Sequence, residues 1–338
     1  MPHLWRARST DQENAAMTAT DRTAARAVRA RPADEIGPLA RKRVRWGYFF
    51  LMPWIIGFLA FQLLPIASTI FLSFTDYNAT KEFAPGNFHF VGFANYAHLF
   101  RDPDLARAMG VTLRFALISV PLTLIVPLLF AVLVNSKHLI APNIFRTLLF
   151  LPTIIPVVAG AMVFQGVLNA ESGWLNQLLG LVGISGPRWL SDPTWAVPAL
   201  SLLSLWGVGN AMLIYLGALQ GVPTEIYEAA TIDGANSAQR FFQMTLPMIS
   251  PIIFYNLTLG VISAFQYFVP AMLIGGRNGD PQGSTLFYNL HFYRQAFVFN
   301  DMGYASVLAL VLFVVVMICT ALLFGFGQRG VYYAGGES

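Results

Sequence analysis

The sequence predicts an all-α integral membrane protein with six transmembrane helices and a structured loop between the fourth and fifth. Three observations carry this. The 338 residues are 56% hydrophobic and only 11% charged, where a soluble domain carries about 25% charged residues. Six apolar runs are long enough to cross the hydrocarbon layer, which takes roughly 20 residues of helix. Finally, the stretch YEAATIDGANSAQRFFQMTLPMISP, residues 227 to 251, is polar yet reads as helix between two of those runs. Mean hydropathy is +0.57, so polar side chains cannot cover the apolar surface and lipid is the expected solvent.

Taken in order, the chain opens with a basic tail, residues 1–45. Ten of the 21 Lys and Arg lie there against five acidic residues. The rest is nearly balanced, so the net charge of +4 belongs to the tail. Its Ala-, Arg- and Thr-rich composition predicts disorder. A nucleic-acid arm would interleave aromatics with the basic residues, and this tail does not. It suits a cytoplasmic flank of a first membrane helix. Met1 and Met17 both fit as starts. The first apolar stretch is too long for a cleavable signal peptide and lacks a small-residue cleavage site.

The expected spans are 47–74, 111–135, 146–169, 195–220, 248–274 and 303–327, within a membrane domain of 46–330, followed by a short tail, 331–338. Internal prolines such as Pro121, Pro127, Pro152 and Pro156 are compatible with membrane helices, whose neighbours re-satisfy freed backbone groups. Six spans put both termini on one side, and RKRVR at 41–45 makes that side cytoplasmic. Segments 75–110, 170–194 and 275–302 then face outward. Aromatic-rich HFVGFANYAHLF suits an interfacial belt. His291, Tyr293 and Arg294 read as a solvated loop face or a contact for an external protein. Cys319 and Met317 read as packing residues. The single cysteine excludes an intrachain disulfide and a cysteine metal site, and no histidine spacing suggests a metal.

The loop 221–247 falls inside. Thr224 is the expected N-cap after Pro223, helix formers run from Glu225 to Ile232, and Asp233-Gly234 breaks the run. A second helix is expected from Ala235 to Thr245, ending at Leu246-Pro247. Ala229 and Ala230 are small enough for another surface to approach. A helix lying on lipid is usually rich in Lys and Arg. This one carries Glu225, Glu228 and Asp233 against a single Arg240, which favours docking of a soluble protein.

EAATIDGANSAQRFFQMTLP resembles the EAA loop of binding-protein-dependent ABC transporter permeases. The pattern is Glu-Ala-Ala, a glycine after three more residues, and a hydrophobic-Leu-Pro ending. Glu228, Ala229, Ala230, Asp233, Gly234, Ala235, Phe242, Leu246 and Pro247 match it. FVGFANYAHLF (90–100), FRTLLFLPTIIPVV (145–158), YLGALQGVPTEIYEAA (215–230) and STLFYNLHFYRQAFVFNDMGYASVLAL (284–310) resemble the carbohydrate-type branch, and the likeness runs from about 45 to 330. The chain lacks the Gly-Ala-x-Lys-Gly ending common in one partner of such pairs. It looks more like the other, the maltose- and glycerol-3-phosphate-type first permease.

The resemblance implies a multi-pass subunit of the bacterial plasma (inner) membrane with both termini cytoplasmic. It would pair with a second permease as a heterodimer, two ABC ATPase subunits and an extracytoplasmic solute-binding protein. The two short helices would be a coupling element: Glu228 would pair with a basic group of the ATPase, and Gly234 would permit the tight turn. ATP would be bound by the partners and no cofactor by this chain. Consistently, Lys42, Lys81 and Lys137 are the only lysines, and none lies in a GxxxxGK[ST] loop. No catalytic constellation is visible, so the chain reads as a transport subunit and not an enzyme.

Trp206, Gly207 and Asn210 sit at i, i+1 and i+4 in the fourth span. In the fifth, Asn256 stands out, and Ser263, Gln266 and Tyr267 sit at i, i+3 and i+4. Amides and hydroxyls beside aromatics suit a sugar, and they equally suit hydrogen bonding between helices. The resemblance favours a sugar path on these two spans. An importer of a non-sugar solute and an ion-coupled secondary transporter are the alternatives. The latter favours carboxylates inside the spans, where none is seen. A scaffold that recruits a protein through the hairpin would not need facing polar stripes.

Overall fold

The computed structural model describes residues 38–327. Of the expected disordered tail 1–45, residues 1–37 lie outside them, while 38–45 are helical and continue into the first apolar run. The expected tail 331–338 also lies outside the described residues. The chain forms two compact units, Met1–Ile66 and Ala67–Ser338. Among the described residues regular structure is helical, with only isolated bridges at Thr75–Phe90 and Asn78–Asp301. Four helices are long and apolar enough to cross a membrane, and there are six spans if each of two bent pairs counts as one.

The described part of the first unit is helical, basic at its start and apolar from residue 46. α1 (Pro38–Phe58) passes through a π-helical turn, Leu59–Leu63, into α2 (Leu64–Leu72). Its aromatics pair along the helix, Trp54 stacking on Phe58 at 5.5 Å.

In the second unit, α3 (Ala94–Leu99) precedes the 32-residue α4 (Pro103–Val134). α4 begins eight residues before the apolar run does. Asp102 caps it, accepting from the N–H groups of Asp104 and Leu105 at 2.9 and 3.2 Å, and Pro103 starts the first turn. At 1.5 Å per residue the helix is about 48 Å long, more than the ~30 Å hydrocarbon layer, so it projects beyond it.

The third expected span is broken. α5 (Pro142–Phe150) leads through a 3₁₀ turn, Leu151–Ile154, to α6 (Val157–Val167), with a bend of 104°. Pro156 forces Ile155 into extended backbone (ψ 128°). After α7 (Trp174–Leu181), the fourth span runs as α8 (Ala196–Leu203), a 3₁₀ turn at Ser204–Gly207, and α9 (Val208–Gln220). α10 (Thr224–Ile232), α11 (Ser237–Arg240), a π-helical turn at Phe241–Thr245 and α12 (Leu246–Met248) form the loop that follows. The fifth expected span is also shorter than its apolar run. α13 (Ser250–Phe265) stops, and α14 (Val269–Gly275) restarts with Pro270 in its first turn. α15 (Tyr288–Tyr293) and α16 (Met302–Gly327) complete the fold.

In lipid, helices associate through close packing and interhelical hydrogen bonds rather than through a water-driven hydrophobic effect. Gly209 shows the first. A Cβ there would stand 2.6 Å from the Leu149 carbonyl, so α9 reaches the end of α5 only through glycine. Tyr288 shows the second: its N–H donates to Thr112 Oγ1 at 2.9 Å and its hydroxyl to the Leu308 carbonyl at 2.7 Å.

His291, expected on a solvated face, is 1% exposed. Its Nε2 lies 2.8 Å from Asp102 Oδ2, which also accepts from the Tyr304 hydroxyl at 2.7 Å. One carboxylate thus joins the starts of α4 and α16 to α15. Burial works to raise the Asp102 carboxyl, but the bonds from Tyr304 and His291 outweigh it and hold it below its usual range. Burial lowers His291 against the attraction of Asp102. Neutral His291 then carries its proton on Nε2, and its buried Nδ1 has no partner. Arg294 reaches Asp104 at 3.5 Å.

Candidate functional site

The polar loop is a hairpin with two helical legs. Pro223, in extended backbone, precedes the first leg, and Thr224 is its first residue rather than its cap. Gly234 adopts φ +80°, a conformation that costs other residues energy. The N–H groups of Gly234 and Ala235 donate to the carbonyls of Thr231 and Ala230 at 3.1 and 2.9 Å, closing the corner. The second leg starts two residues later than expected, because Asn236 caps it. Asn236 Oδ1 accepts from the Gln239 N–H at 2.9 Å, and Gln239 Oε1 accepts from the Asn236 N–H at 2.8 Å. The leg also continues past Pro247, which falls in the first turn of α12 where no N–H is needed. It bends by 66° into α13.

Glu228, Ala229, Asp233 and Gly234 are exposed, and no ion pair joins Glu228 to another described residue. Ala230 is 1% exposed. Its small side chain lets the hairpin pack inward; of the two alanines only Ala229 offers room to an outside surface. Two exposed apolar side chains stand out here, Phe242 of the matched pattern and Ile232, neither of them given an outward role by sequence reasoning. Ile232 is 86% exposed and Phe242 63%. Their signal was available as large apolar side chains within the most polar loop.

The polar residues of the spans border two adjoining hollows. The first, about 240 Å³, is lined by Ser119 and Thr123 of α4, Ser204, Asn256 and Ser263 of α13, and Tyr267. The second, about 500 Å³, is lined by Pro152, Pro156, Gly160, Trp206, Gly207 and Asn210, again with Ser204 and Tyr267. Trp206, Gly207, Asn210 and Tyr267 therefore come together around the second hollow. Ser263 joins them through Tyr267. Gln266 lines neither hollow. α13 ends at Phe265, so Ser263, Gln266 and Tyr267 do not share one continuous helical face, and Gln266 is exposed.

The break that removes Gln266 places Tyr267. Its ring lies 4.2 Å from Phe115 and its hydroxyl 3.4 Å from the Leu200 carbonyl. The indole N–H of Trp206 is buried with no partner, beside Gly160. No charged side chain lines either hollow. Ser119, Thr123 and Ser204 were missed by sequence reasoning. The first two lie four residues apart on one face of α4, a spacing that was visible among its apolar neighbours.

The model of the family described as "Binding-protein-dependent transport system inner membrane component" matches residues 115–330. This chain belongs to that family. The chain is similar to the probable ABC transporter permease protein YesP of Bacillus subtilis (strain 168), 40% identical over 86% of this chain and 93% of that protein. The arabinooligosaccharides transport system permease protein AraP of the same organism is 32% identical over 80% of this chain and 85% of its own length. In fold, the chain is similar to a chain in the crystal structure of a bacterial alginate ABC transporter in complex with alginate pentasaccharide-bound periplasmic protein. The TM-score is 0.73 at 23% identity, covering 87% of this chain and 98% of that one. The family places the chain in a membrane, as a component of a transport system.

Proposed function

We propose that this chain is one permease half of an ATP-driven importer for a sugar or related polyol. The single observation that carries the sugar is the pair of hollows joined at Ser204 and Tyr267, lined by hydroxyls, amides and aromatic rings and by no charge. Sugar hydroxyls pair with Asn210, Ser263, Ser204 and Asn256, each bond adding about 1 kcal/mol, and the ring faces rest on Trp206 and Tyr267. Gly207 keeps the second hollow open. Relatives named for arabinooligosaccharides and for lactose support this solute class. A phosphate ester would call for Arg or Lys, and an ion-coupled cycle for a buried carboxylate; the hollows offer neither.

Six spans result when the bent α5–α6 pair and α13, without its hairpin lead-in, are added to the four long helices, with both termini and the hairpin on the cytoplasmic side, in line with RKRVR at 41–45. A second permease completes the pore, and an external binding protein delivers the solute. Two ATPase subunits receive the hairpin. Glu228 pairs with a cation there, Ala229 allows close approach, Asp233 and Gly234 shape the corner, and Ala230 packs the hairpin against its own chain. ATP-driven closure of the ATPases then shifts the pair between inward- and outward-facing states.

The test is uptake by the complex reconstituted in vesicles with a panel of radiolabelled neutral sugars, acidic sugars and sugar phosphates. ATP-dependent accumulation of a neutral sugar is the expected result. Accumulation of a phosphate ester alone contradicts the reading of the hollows.

A further inference from the structure

The hairpin contains a closed ring of hydrogen bonds that its docking role does not use. Thr231 Oγ1 donates to the Tyr227 carbonyl at 2.7 Å and accepts from Arg240 Nη1 at 3.0 Å. Thr245 Oγ1 donates to the Arg240 carbonyl at 3.3 Å and lies 2.8 Å from the Tyr227 hydroxyl. Since the one Thr245 proton goes to Arg240, the Tyr227 hydroxyl donates to Thr245. Two threonines therefore bridge the same two residues. One links the Tyr227 backbone to the Arg240 side chain, the other the Tyr227 side chain to the Arg240 backbone.

The two legs meet covalently only at the Gly234 corner. The two backbone bonds of the corner hold only its own turn, so without a brace between the legs a push on one leg would be absorbed by bending. The ring braces the legs on both sides of Arg240, and its Thr245 half is shielded from water, Thr245 being buried. The base of the hairpin is also anchored. Tyr227 and Met248 pack on the buried cluster of Ala131, Val134, Tyr215, Leu219, Val222 and Ile249. Directly beyond Ile249 lies α13, which carries Asn256 and Ser263 into the first hollow.

We infer that Tyr227, Thr231, Arg240 and Thr245 are positioning residues that make the hairpin a rigid lever, so that force at its tip reaches α13. This rests on the coupling reading above. Docking holds the ATPase, and the ring converts its motion into movement at the hollow. The two fail separately.

The test uses the full complex with Cys319→Ser and a reporter, Leu259→Cys, which lines the first hollow. Its rate of labelling by a membrane-impermeant thiol reagent is followed with and without ATP plus vanadate. With the ring intact, ATP and vanadate change the rate. In Thr245→Val and Tyr227→Phe the ATPase still co-purifies and hydrolyses ATP, and the rate change shrinks by about fivefold to tenfold, the scale of one shielded hydrogen bond. Thr245→Ser, which keeps the hydroxyl, restores it, and the Tyr227→Phe/Thr245→Val double variant is no worse than either single one. A full labelling response in both single variants with normal hydrolysis overturns the lever. So does equal loss of hydrolysis and response, which marks a purely structural role. Failure of the unaltered chain to bring down an ATPase contradicts the docking reading instead.

Discussion

The hairpin and the hollows solve opposite problems with the same kinds of residue. In the hairpin, Thr, Asn, Gln and Arg side chains are turned on one another, and its corner and caps are closed by short-range bonds. In the hollows, Thr123, Ser204, Asn256 and Tyr267 each donate to a backbone carbonyl while bordering open space, and Trp206 keeps a buried N–H without a partner. A buried donor without a partner costs about 1–3 kcal/mol, a cost a binding site recovers when a ligand arrives. The difference teaches where to look for stiffness and where for selectivity: polar side chains paired across two legs make a rod, and polar side chains tied to their backbone beside an open hollow, with one indole N–H left unpaired, make a site.

The largest expected effect breaks the rigid side. Gly234→Pro removes the N–H bonded to Thr231 and fixes φ near −65° where the corner needs +80°. Solute uptake should fall to background while circular dichroism shows helix content and membrane insertion unchanged; normal uptake would sink the docking account.

Next is Asp102→Ala, a control outside both regions. It removes the cap of α4 and leaves His291 and Tyr304 without their acceptor, costing about 3 kcal/mol of stability by thermal unfolding in detergent. The native chain should also lose stability in acid. His291 has a lowered value when folded, so its neutral form is favoured and stability falls as pH drops below the unfolded value of 6.5. Asp102, also lowered, contributes fully above its unfolded value of 3.8 and loses that contribution as pH falls from there through its folded value, so the Ala variant should lack this lowest part of the acid limb.

On the selective side, Asn210→Leu should raise the solute concentration needed for half-maximal uptake about fivefold to tenfold, with the amount of bound ATPase unchanged. Unaltered affinity would return Asn210 to helix packing. The smallest effect is Gly160→Ala. The added methyl would stand 3.3 Å from the Trp206 Nε1, so the indole must shift by a few tenths of an ångström. Uptake affinity should change by about twofold, on the scale of a mild overpacking strain, with assembly intact.

The hairpin was largely legible in the sequence because its determinants are local. Asp233-Gly234 announces the corner, and Asn236 with Gln239 is a capping pair three residues apart. What was missed there, the start at Asn236 and the run past Pro247, followed from reading apolarity before caps. The hollows were half legible. Trp206, Asn210 and Tyr267 were visible as polar or aromatic groups in apolar runs. Their meeting depends on breaks at Ile155–Pro156 and at 266–268, after which α6 packs against α14, and Gly160 and Pro270 border the second hollow beside Trp206 and Asn210. A helical wheel drawn through 248–274 assumes that the helix continues, which is why Gln266 was grouped with Ser263. The Asp102–His291 pair spans 189 residues, and no local spacing signals it.

The most direct measurement is a gentle-detergent pull-down of the tagged chain from its native membrane, assayed for bound ATPase activity in the unaltered chain and in Glu228→Arg. The account predicts ATPase activity with the first and its loss with the second, while both chains keep the same helix content. A folded chain that brings down no ATPase, or a Glu228→Arg chain that holds it as firmly as the original, contradicts the claim that this hairpin takes force from a nucleotide-driven partner.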